Sequence, residues 1–241
     1  MVNRSFLVFT FLLCNSIGIT QSDLKTPLEA SKFTSLSSYD DMMMYLKNLD
    51  NSSTLISMEI IGESVQGRKL PVLYFTTDKR PGMKRNQKPV VLIFCQQHGD
   101  EPSGKEAALF LARKLIQEER HLLENLDLLL LPQMNPDGSE KAERRNANEM
   151  DLNRNHVILS EPETQALHRL FLEWMPEVTL DVHEYSAVSQ DWVKSGFIKN
   201  ADVQLGKVSN ANIAPEIYNF SAKMVIPAVQ DAMKKRGYTF H

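Results

Sequence analysis

Apolar residues along this chain fall into short continuous runs, separated by longer stretches with helical periodicity. Three of the runs, KPVVLIFCQ, LDLLLLPQ and EVTLDVH, are apolar at nearly every central position. A run of this length and composition is typical of a strand that is buried on both faces of a sheet. We therefore predict three buried strands in the middle of the chain.

Two earlier runs, LISMEIIGES and KLPVLYFTTD, also have the character of strands. They are separated by VQGR, whose glycine indicates a tight connection between antiparallel neighbours. This pair is predicted to form a β-hairpin.

Four stretches have the periodicity of helices. Ser37 or Ser38 is positioned to cap the first, and Ser160, with Glu163 three residues later, predicts a capping box at the third. Pro227 is expected to interrupt the last, because proline cannot donate a backbone hydrogen bond. The predicted helices cover residues 38–53, 103–119, 160–175 and 214–237.

This order of elements favours an α/β fold built on a mixed, mostly parallel twisted sheet with helices on both faces. Ligands bind such sheets at the carboxyl ends of the strands. His98, residues 135–138 and His183 each follow one of the three apolar runs. We expect these three strand exits to converge on one crevice.

Composition narrows the function classes. The 241 residues carry a net charge of −3, with 42% hydrophobic and 24% charged residues, so a sizeable soluble core is possible. An acidic balance with a pI of about 6.1 gives no electrostatic basis for binding nucleic acid.

The first 20 residues have the layout of a secretory signal peptide. Arg4 precedes an apolar run over residues 6–13, and small residues follow it. The run is shorter than the roughly 20 residues that span a bilayer, so no stable membrane span is expected. Cleavage would make the mature protein secreted or periplasmic; an uncleaved N-terminal anchor is the alternative. Cleavage of the signal peptide would also leave Cys95 as the sole cysteine. Because Cys95 ends an apolar strand, we predict a buried, inert thiol.

The turn after the first buried strand carries a possible metal site. His98 and Glu101 lie three apart in CQQHGDEPSG, and His183 follows the last buried strand. Catalytic zinc takes three protein ligands and keeps a position for water. The spacing of His98 and Glu101 alone is weak evidence for a metal site. The position of the pair at a strand exit and the presence of His183 strengthen the prediction that one zinc ion binds here.

A polar segment, RRNANEMDLNRN, supplies a candidate binding site for an anion. The planar guanidinium of arginine grips a carboxylate through two parallel hydrogen bonds. The alternative interpretation is a solvated loop. The residues concerned are Arg144, Arg145, Asn146, Asn153, Arg154 and Asn155.

Four motifs in this order, HGDEPSG, NPDG, DLNRN and DVHEY, resemble the zinc carboxypeptidase family, the M14 metallopeptidases. The similarity extends over residues 38–185. It implies that residues 24–241 form a zinc carboxypeptidase-like catalytic domain, which we expect to be incomplete at its C-terminus. It also implies that the two histidines and the glutamate described above bind the zinc.

The same resemblance assigns roles in the polar segment. Arg144 would polarise the scissile carbonyl and stabilise the oxyanion. Asn153 and Arg154 would hold the terminal carboxylate of a peptide, and Arg145 is expected to be a solvated neighbour. The implied function is a metallocarboxypeptidase that removes the C-terminal residue of peptides with a free carboxylate.

One expected component is not found. The family uses a glutamate as general base, and the glutamates after His183 are Glu184 and Glu216, neither of which matches its context. The substrate-capping tyrosine is not placed either. The unplaced base leaves open an inactive module that binds zinc and carboxylate-ended peptides, and an active chain whose base comes from an unusual place. A different enzyme class also stays open: an M14-like amidohydrolase acting on N-acyl amino acids or cell-wall peptides.

Overall fold

The computed structural model describes residues 24–77, 88–185, 193–196, 201–207, 210 and 212–240. These residues form two compact units, one up to Glu184 and one from Tyr185. The predicted signal peptide, residues 1–20, lies outside the described residues. In the part that the structure describes, no helix is both long and apolar enough to cross a bilayer.

The first unit is built on one five-stranded mixed sheet, which confirms the predicted α/β class. Its strands lie in the order β1-β2-β4-β3-β5; β2 is antiparallel to β1 and β4, whereas β3 is parallel to β4 and β5. Parallel and antiparallel pairings are therefore equal in number. The strands are β1 (Ile56–Glu63), β2 (Lys69–Phe75), β3 (Val90–Cys95), β4 (Asp127–Leu131) and β5 (Val178–Val182).

Helices cover both faces of this sheet, as predicted. Ser38 caps the second helix, its hydroxyl oxygen accepting a hydrogen bond of 3.1 Å from the N–H of Asp41. The helices of the first unit are α1 (Pro27–Ala30), α2 (Tyr39–Ser52), α3 (Ser103–Gln117), α4 (Pro136–Lys141) and α5 (Pro162–Trp174).

Two apolar clusters form the core. Helices α2 and α3 pack on one face, where Met42, Leu46 and Leu109 are fully buried. Helix α5 packs on the other face through Leu167 and Leu170. The sheet is thus held between two apolar layers, which fixes the ends of its strands.

The connection between β1 and β2 is the predicted hairpin, and it is tied to the exit of β4. The carboxylate of Asp137 accepts hydrogen bonds from the hydroxyl of Ser64 at 2.8 Å and the N–H of Gln66 at 2.9 Å. It also pairs with the guanidinium of Arg68 at 2.7 Å. Residues 135–138, which follow β4, open helix α4, with Asn135 accepting from the N–H of Gly138.

Strand β5 forms as predicted but is not buried. It lies at the edge of the sheet, where Val178 is 41% and Leu180 is 50% exposed. An apolar run shows that a strand can be buried on both faces, but the burial itself depends on the elements that cover it.

The capping box predicted for α5 is wrong. The N-cap residue is Glu161, and no side chain caps the helix. The carboxylate of Glu163 accepts from the N–H of Val65 at 3.1 Å, and the hydroxyl of Ser160 accepts from Asn155 at 2.8 Å. Glu163 is thus bound by a residue 98 positions away, and Ser160 by the loop that precedes the helix, so neither makes the capping bond that the spacing suggested.

The second unit contains the predicted interrupted helix. Helix α6 (Pro215–Phe220) runs into a π-helical turn over Ser221–Val225, and then into α7 (Ile226–Lys235). Pro227 lies just after the wide turn. Its missing N–H and its ring exclude the regular bond to the preceding turn, which accounts for the change of pitch.

The turn that carries the candidate metal site depends on contact between two glycines. A Cβ atom on Gly99 would lie 2.1 Å from the carbonyl carbon of Gly138 and 2.3 Å from the nitrogen of Ser139. A Cβ atom on Gly138 would lie 2.4 Å from the carbonyl oxygen of Arg145. Backbone atoms cannot move aside as side chains can, so the glycines allow close approach of two loops.

We expect Gly99→Ala to lower the free energy of unfolding by about 3 kcal/mol, because the methyl group must push two backbone segments apart. Urea unfolding followed by circular dichroism measures this. Gly206→Ala is the control, since a Cβ atom there meets nothing within 4 Å. Equal unfolding midpoints for the two variants would contradict the packing argument.

Candidate metal centre

The three predicted strand exits converge at the carboxyl ends of the parallel strands, because β4, β3 and β5 are parallel neighbours. Backbone bonds continue past the strand ends: the N–H of Met134 donates to the carbonyl of Cys95 at 3.0 Å, and the N–H of Asn135 donates to Gln96 at 3.1 Å. The residues that follow β3 and β4 are therefore held together. His98 and His183 lie at these carboxyl ends.

His98, Glu101 and His183 come together as predicted. Nδ1 of His98 lies 2.7 Å from Oε1 of Glu101, and Nδ1 of His183 lies 2.9 Å from Oε2. The potential ligand atoms of the three residues all lie within 4.8 Å of one another. Two imidazole nitrogens and a carboxylate at this spacing could hold one metal ion.

The outer nitrogen of each imidazole faces a carboxylate. Nε2 of His98 lies 3.2 Å from Oδ1 of Asp151, and Nε2 of His183 lies 3.1 Å from Oδ2 of Asp181. Histidines that bind metal commonly donate their other N–H to a carboxylate, which fixes the tautomer and leaves Nδ1 free for the metal. The donor set and its surroundings therefore fit zinc.

Hydrogen bonding in the metal-free cluster shifts two pKa values strongly. Burial raises the pKa of Glu101, but bonds from His183, His98 and the backbone of Glu184 outweigh it and lower the pKa to about 2. Hydrogen bonds to Asp181 and Glu101 raise the pKa of His183 to about 9, against the opposing effect of burial. In the metal-free protein, a proton on His183 therefore supplies part of the positive charge that a metal cation would bring.

Arg144 reaches the same cluster. Its guanidinium donates from Nε and NH2 to Oδ2 of Asp151 at 3.2 and 3.1 Å, and NH1 lies 3.2 Å from Nδ1 of His98. Burial raises the pKa of Asp151, but the charge and hydrogen bonds of Arg144 and a bond from His98 lower it overall. Asp151 therefore orients a histidine and an arginine at once.

The other two predicted substrate-binding residues lie on a single 3₁₀ turn, Leu152–Arg154, which the buried side chain of Leu152 anchors. Nδ2 of Asn153 lies 3.2 Å from Nε2 of His183. Arg154 is exposed and donates from NH1 to the carbonyl of Asn153 at 3.1 Å. Arg145 donates to the carbonyl of Glu149 and is exposed, as expected of a solvated neighbour.

Two asparagines of the polar segment shape the loop. Asn146 is buried, accepts from the N–H groups of Asn148 and Met150, and donates to Glu161 at 2.7 Å. Asn155 is fully buried and belongs to the same network at the start of α5. The buried amides of Asn146 and Asn155 therefore hold the segment in place, while Arg144, Asn153 and Arg154 remain at its surface.

Glu184 supports the cluster. Its carboxylate accepts from the N–H of Ser103 at the first turn of α3, at 2.9 Å, and its own N–H donates to Oε2 of Glu101 at 3.0 Å. Glu216 is exposed at the start of α6, in the second unit.

Sequence reasoning gave no role to Asp151, although its place in DLNRN marked it. Asp181 stands at the end of the last apolar run, where it could be a plain strand-end residue, and its contact with His183 supports an orienting role. Sequence reasoning also missed Gln97 and His156, which no local pattern singled out.

The sequence profile of the zinc carboxypeptidase family (peptidase M14) matches residues 42–193. This chain belongs to that family. Among curated relatives, it is 30% identical over 190 residues to Carboxypeptidase 2 of Trichophyton rubrum, covering 77% of this chain and 35% of the relative. It is 36% identical over 142 residues to the human Carboxypeptidase N catalytic chain, covering 51% and 31%.

Solved structures share the fold of this zinc carboxypeptidase family member. Carboxypeptidase A from Helicoverpa armigera aligns with a TM-score of 0.66 at 20% identity, over 92% of this chain and 62% of that one. The structure of thrombin activatable fibrinolysis inhibitor aligns equally well, with a TM-score of 0.66 at 17% identity, over 89% and 61%. The chain spans about a third of the length of the curated relatives that it matches, 35% for the first and 31% for the second.

The metal-free protein should lose stability as the pH rises. The pKa of folded His183, about 9, lies above its ordinary value of 6.5, so folding strengthens proton binding. The resulting stabilisation is fully present below about pH 6.5 and is lost as the pH rises through about 9. We expect a loss on the order of 1 kcal/mol, because solvent screens part of the interaction.

Urea unfolding in the presence of a chelator, at both ends of this pH range, measures the effect. His183→Gln provides the reference, because the difference between wild type and variant isolates this titration. A difference that does not change with pH would show that His183 keeps its ordinary pKa.

Proposed function

We propose that this chain provides the zinc site and the carboxylate-binding loop of a metallocarboxypeptidase that cleaves the C-terminal peptide bond of peptides with a free carboxylate. The observation that supports this most is the convergence of His98, Glu101 and His183, with both outer imidazole nitrogens facing carboxylates. When bound, zinc supplies Lewis acidity for the attack of water on a carbonyl.

Charge balance supports a divalent cation at this place. Glu101, Asp151 and Asp181 carry three negative charges, and Arg144 carries one positive charge. With neutral imidazoles the cluster has two negative charges in excess, which a divalent cation would neutralise. Partly buried charges of one sign are unfavourable without such a partner.

Arg144 is proposed to stabilise negative charge that develops on the substrate carbonyl oxygen. Its NH1 lies 3.7 Å from Oε1 of Glu101, beside the proposed ligands. Asp151 holds Nε and NH2, and NH1 faces Nδ1 of His98 at 3.2 Å, so NH1 lies next to the place where the metal and the substrate carbonyl would meet. A preorganised donor of this kind needs no reorganisation as the charge forms.

Asn153 and Arg154 are proposed to bind the terminal carboxylate of the substrate. Both follow a buried anchor on one short turn, and the exposed guanidinium of Arg154 is accessible to an anion. Fixing the terminal carboxylate beside the metal would position only the last peptide bond for attack, which is the basis of exopeptidase action. The predicted signal peptide, residues 1–20, would place this activity outside the cytoplasm.

A binding function without catalysis is the second candidate. Of the two glutamates that follow His183 in the sequence, Glu184 is hydrogen-bonded to the amide of Ser103, and Glu216 is an exposed residue of the second unit. A module of this kind would bind carboxylate-ended peptides and zinc without turnover. An amidohydrolase acting on N-acyl amino acids, whose substrates also carry a carboxylate, would use the same loop.

We expect His183→Ala to abolish stoichiometric zinc binding, because it removes one of the three proposed ligands. Zinc content after dialysis, measured by mass spectrometry of the metal, reports this. His121→Ala is the control, since His121 is exposed and lies outside the cluster. Retention of one zinc per chain in His183→Ala would contradict the proposed ligand set.

We expect Arg154→Ala to raise KM for free-acid peptides about tenfold or more, because a charge-assisted bond to carboxylate is lost. If peptides bind without turnover, Kd replaces KM. Arg145→Ala is the matched control and should leave binding unchanged. A panel of free-acid peptides, amidated peptides and N-acyl amino acids separates the candidates; preference for amidated peptides would contradict the carboxylate-binding role.

A further inference from the structure

Gln97 lies between the end of β3 and His98, and it is fully buried. Both atoms of its amide group are used. Nε2 donates to Oδ2 of Asp181 at 2.8 Å, and Oε1 lies 2.7 Å from Nε2 of His156. A buried amide that satisfies both atoms in this way has a defined orientation, because either bond lost would leave a buried polar group unpaired.

The direction of these bonds follows from chemistry. The carboxylate of Asp181 can only accept, so the amide of Gln97 must present its NH2 group to it. The carbonyl oxygen of Gln97 then faces His156 and requires a proton on Nε2 of that ring. The reversed amide would place its carbonyl oxygen against the carboxylate, where the two acceptors repel.

A second histidine completes the chain of bonds. Nδ1 of His156 lies 3.1 Å from Nε2 of His168 on α5, and the two rings are stacked with centroids 5.3 Å apart. Because Nε2 of His156 carries the proton, Nδ1 of the neutral ring accepts from the Nε2–H of His168. Burial and the neighbouring His168 lower the pKa of His156, which favours this neutral form.

We propose that His168, His156 and Gln97 form a one-directional hydrogen-bond relay that positions Asp181 against His183. Each member donates to the next: His168 to His156, His156 to Gln97, and Gln97 to the same Oδ2 atom that accepts from His183. These are positioning residues. The inference rests on the proposed function of His183 as a metal ligand and extends it beyond the residues that face the metal.

Asp181 needs such support because its side chain is 34% exposed and lies at the end of the edge strand β5. Without a second bond, its carboxylate could turn towards solvent and release the imidazole. Gln97 prevents this from the buried side. The relay also connects β5 with the exit of β3, with the loop that carries Asn153 and Arg154, and with α5.

The test compares zinc dissociation constants, measured by competition with a chromophoric chelator, and the visible absorption spectrum of the cobalt-substituted protein. Gln97→Met removes both bonds at nearly constant volume. Gln133→Met is the matched control, because Gln133 is fully buried and follows β4 as Gln97 follows β3. Among the residues that the structure describes, its side chain donates only to Gln96, at 3.0 Å. We expect Gln97→Met to weaken zinc binding about tenfold and to alter the cobalt spectrum, and Gln133→Met to change neither.

A second pair of variants tests the donor at position 156 and does not depend on the folding of Gln97→Met. His156→Phe keeps a ring but loses the donor, so we expect weaker zinc binding. His156→Gln can place an amide N–H where Nε2 lies, so we expect it to restore the wild-type constant. A structural role of the ring alone would give the opposite order.

The outcomes separate this inference from the proposed metal centre. Stoichiometric zinc in the wild type, with equal constants for Gln97→Met and Gln133→Met, would overturn the relay and leave the metal centre standing. His156→Gln as weak as His156→Phe would also overturn the relay. Absence of zinc binding in the wild type would overturn both.

Discussion

Each oxygen of the Glu101 carboxylate lies within hydrogen-bonding distance of Nδ1 of a different histidine, and the site depends on this bridge. One oxygen lies 2.7 Å from Nδ1 of His98, and the other lies 2.9 Å from Nδ1 of His183. The two histidines follow different strands, β3 and β5. A single side chain therefore links two strand exits and holds the two Nδ1 atoms close to each other.

The surrounding structure maintains that geometry from outside. Asp151 and Asp181 fix the far sides of the two rings, and Arg144 balances part of their charge. Beneath the turn, the backbone of Gly99 lies against that of Gly138 and donates to the carbonyl of Arg144 at 3.3 Å. The metal site and the carboxylate-binding loop are thus packed against each other, and a substitution in either should alter the geometry of the other.

Much of this arrangement could be predicted from the sequence. Continuous apolar runs marked β3, β4 and β5, and strand exits in a parallel sheet share an edge, so convergence of His98 and His183 followed. Ordered motifs then gave roles to neighbouring side chains. Prediction failed where long-range contacts decide the outcome. The exposure of β5 depends on its place at the sheet edge, and Glu163 left its expected capping bond for the N–H of Val65.

Zinc X-ray absorption of the reconstituted protein shows directly whether two imidazoles and one carboxylate bind a zinc ion. We predict a coordination shell with two imidazole nitrogens at about 2.0–2.1 Å, completed by oxygen. A shell of oxygen alone, or one containing sulfur at about 2.3 Å from Cys95, would contradict it.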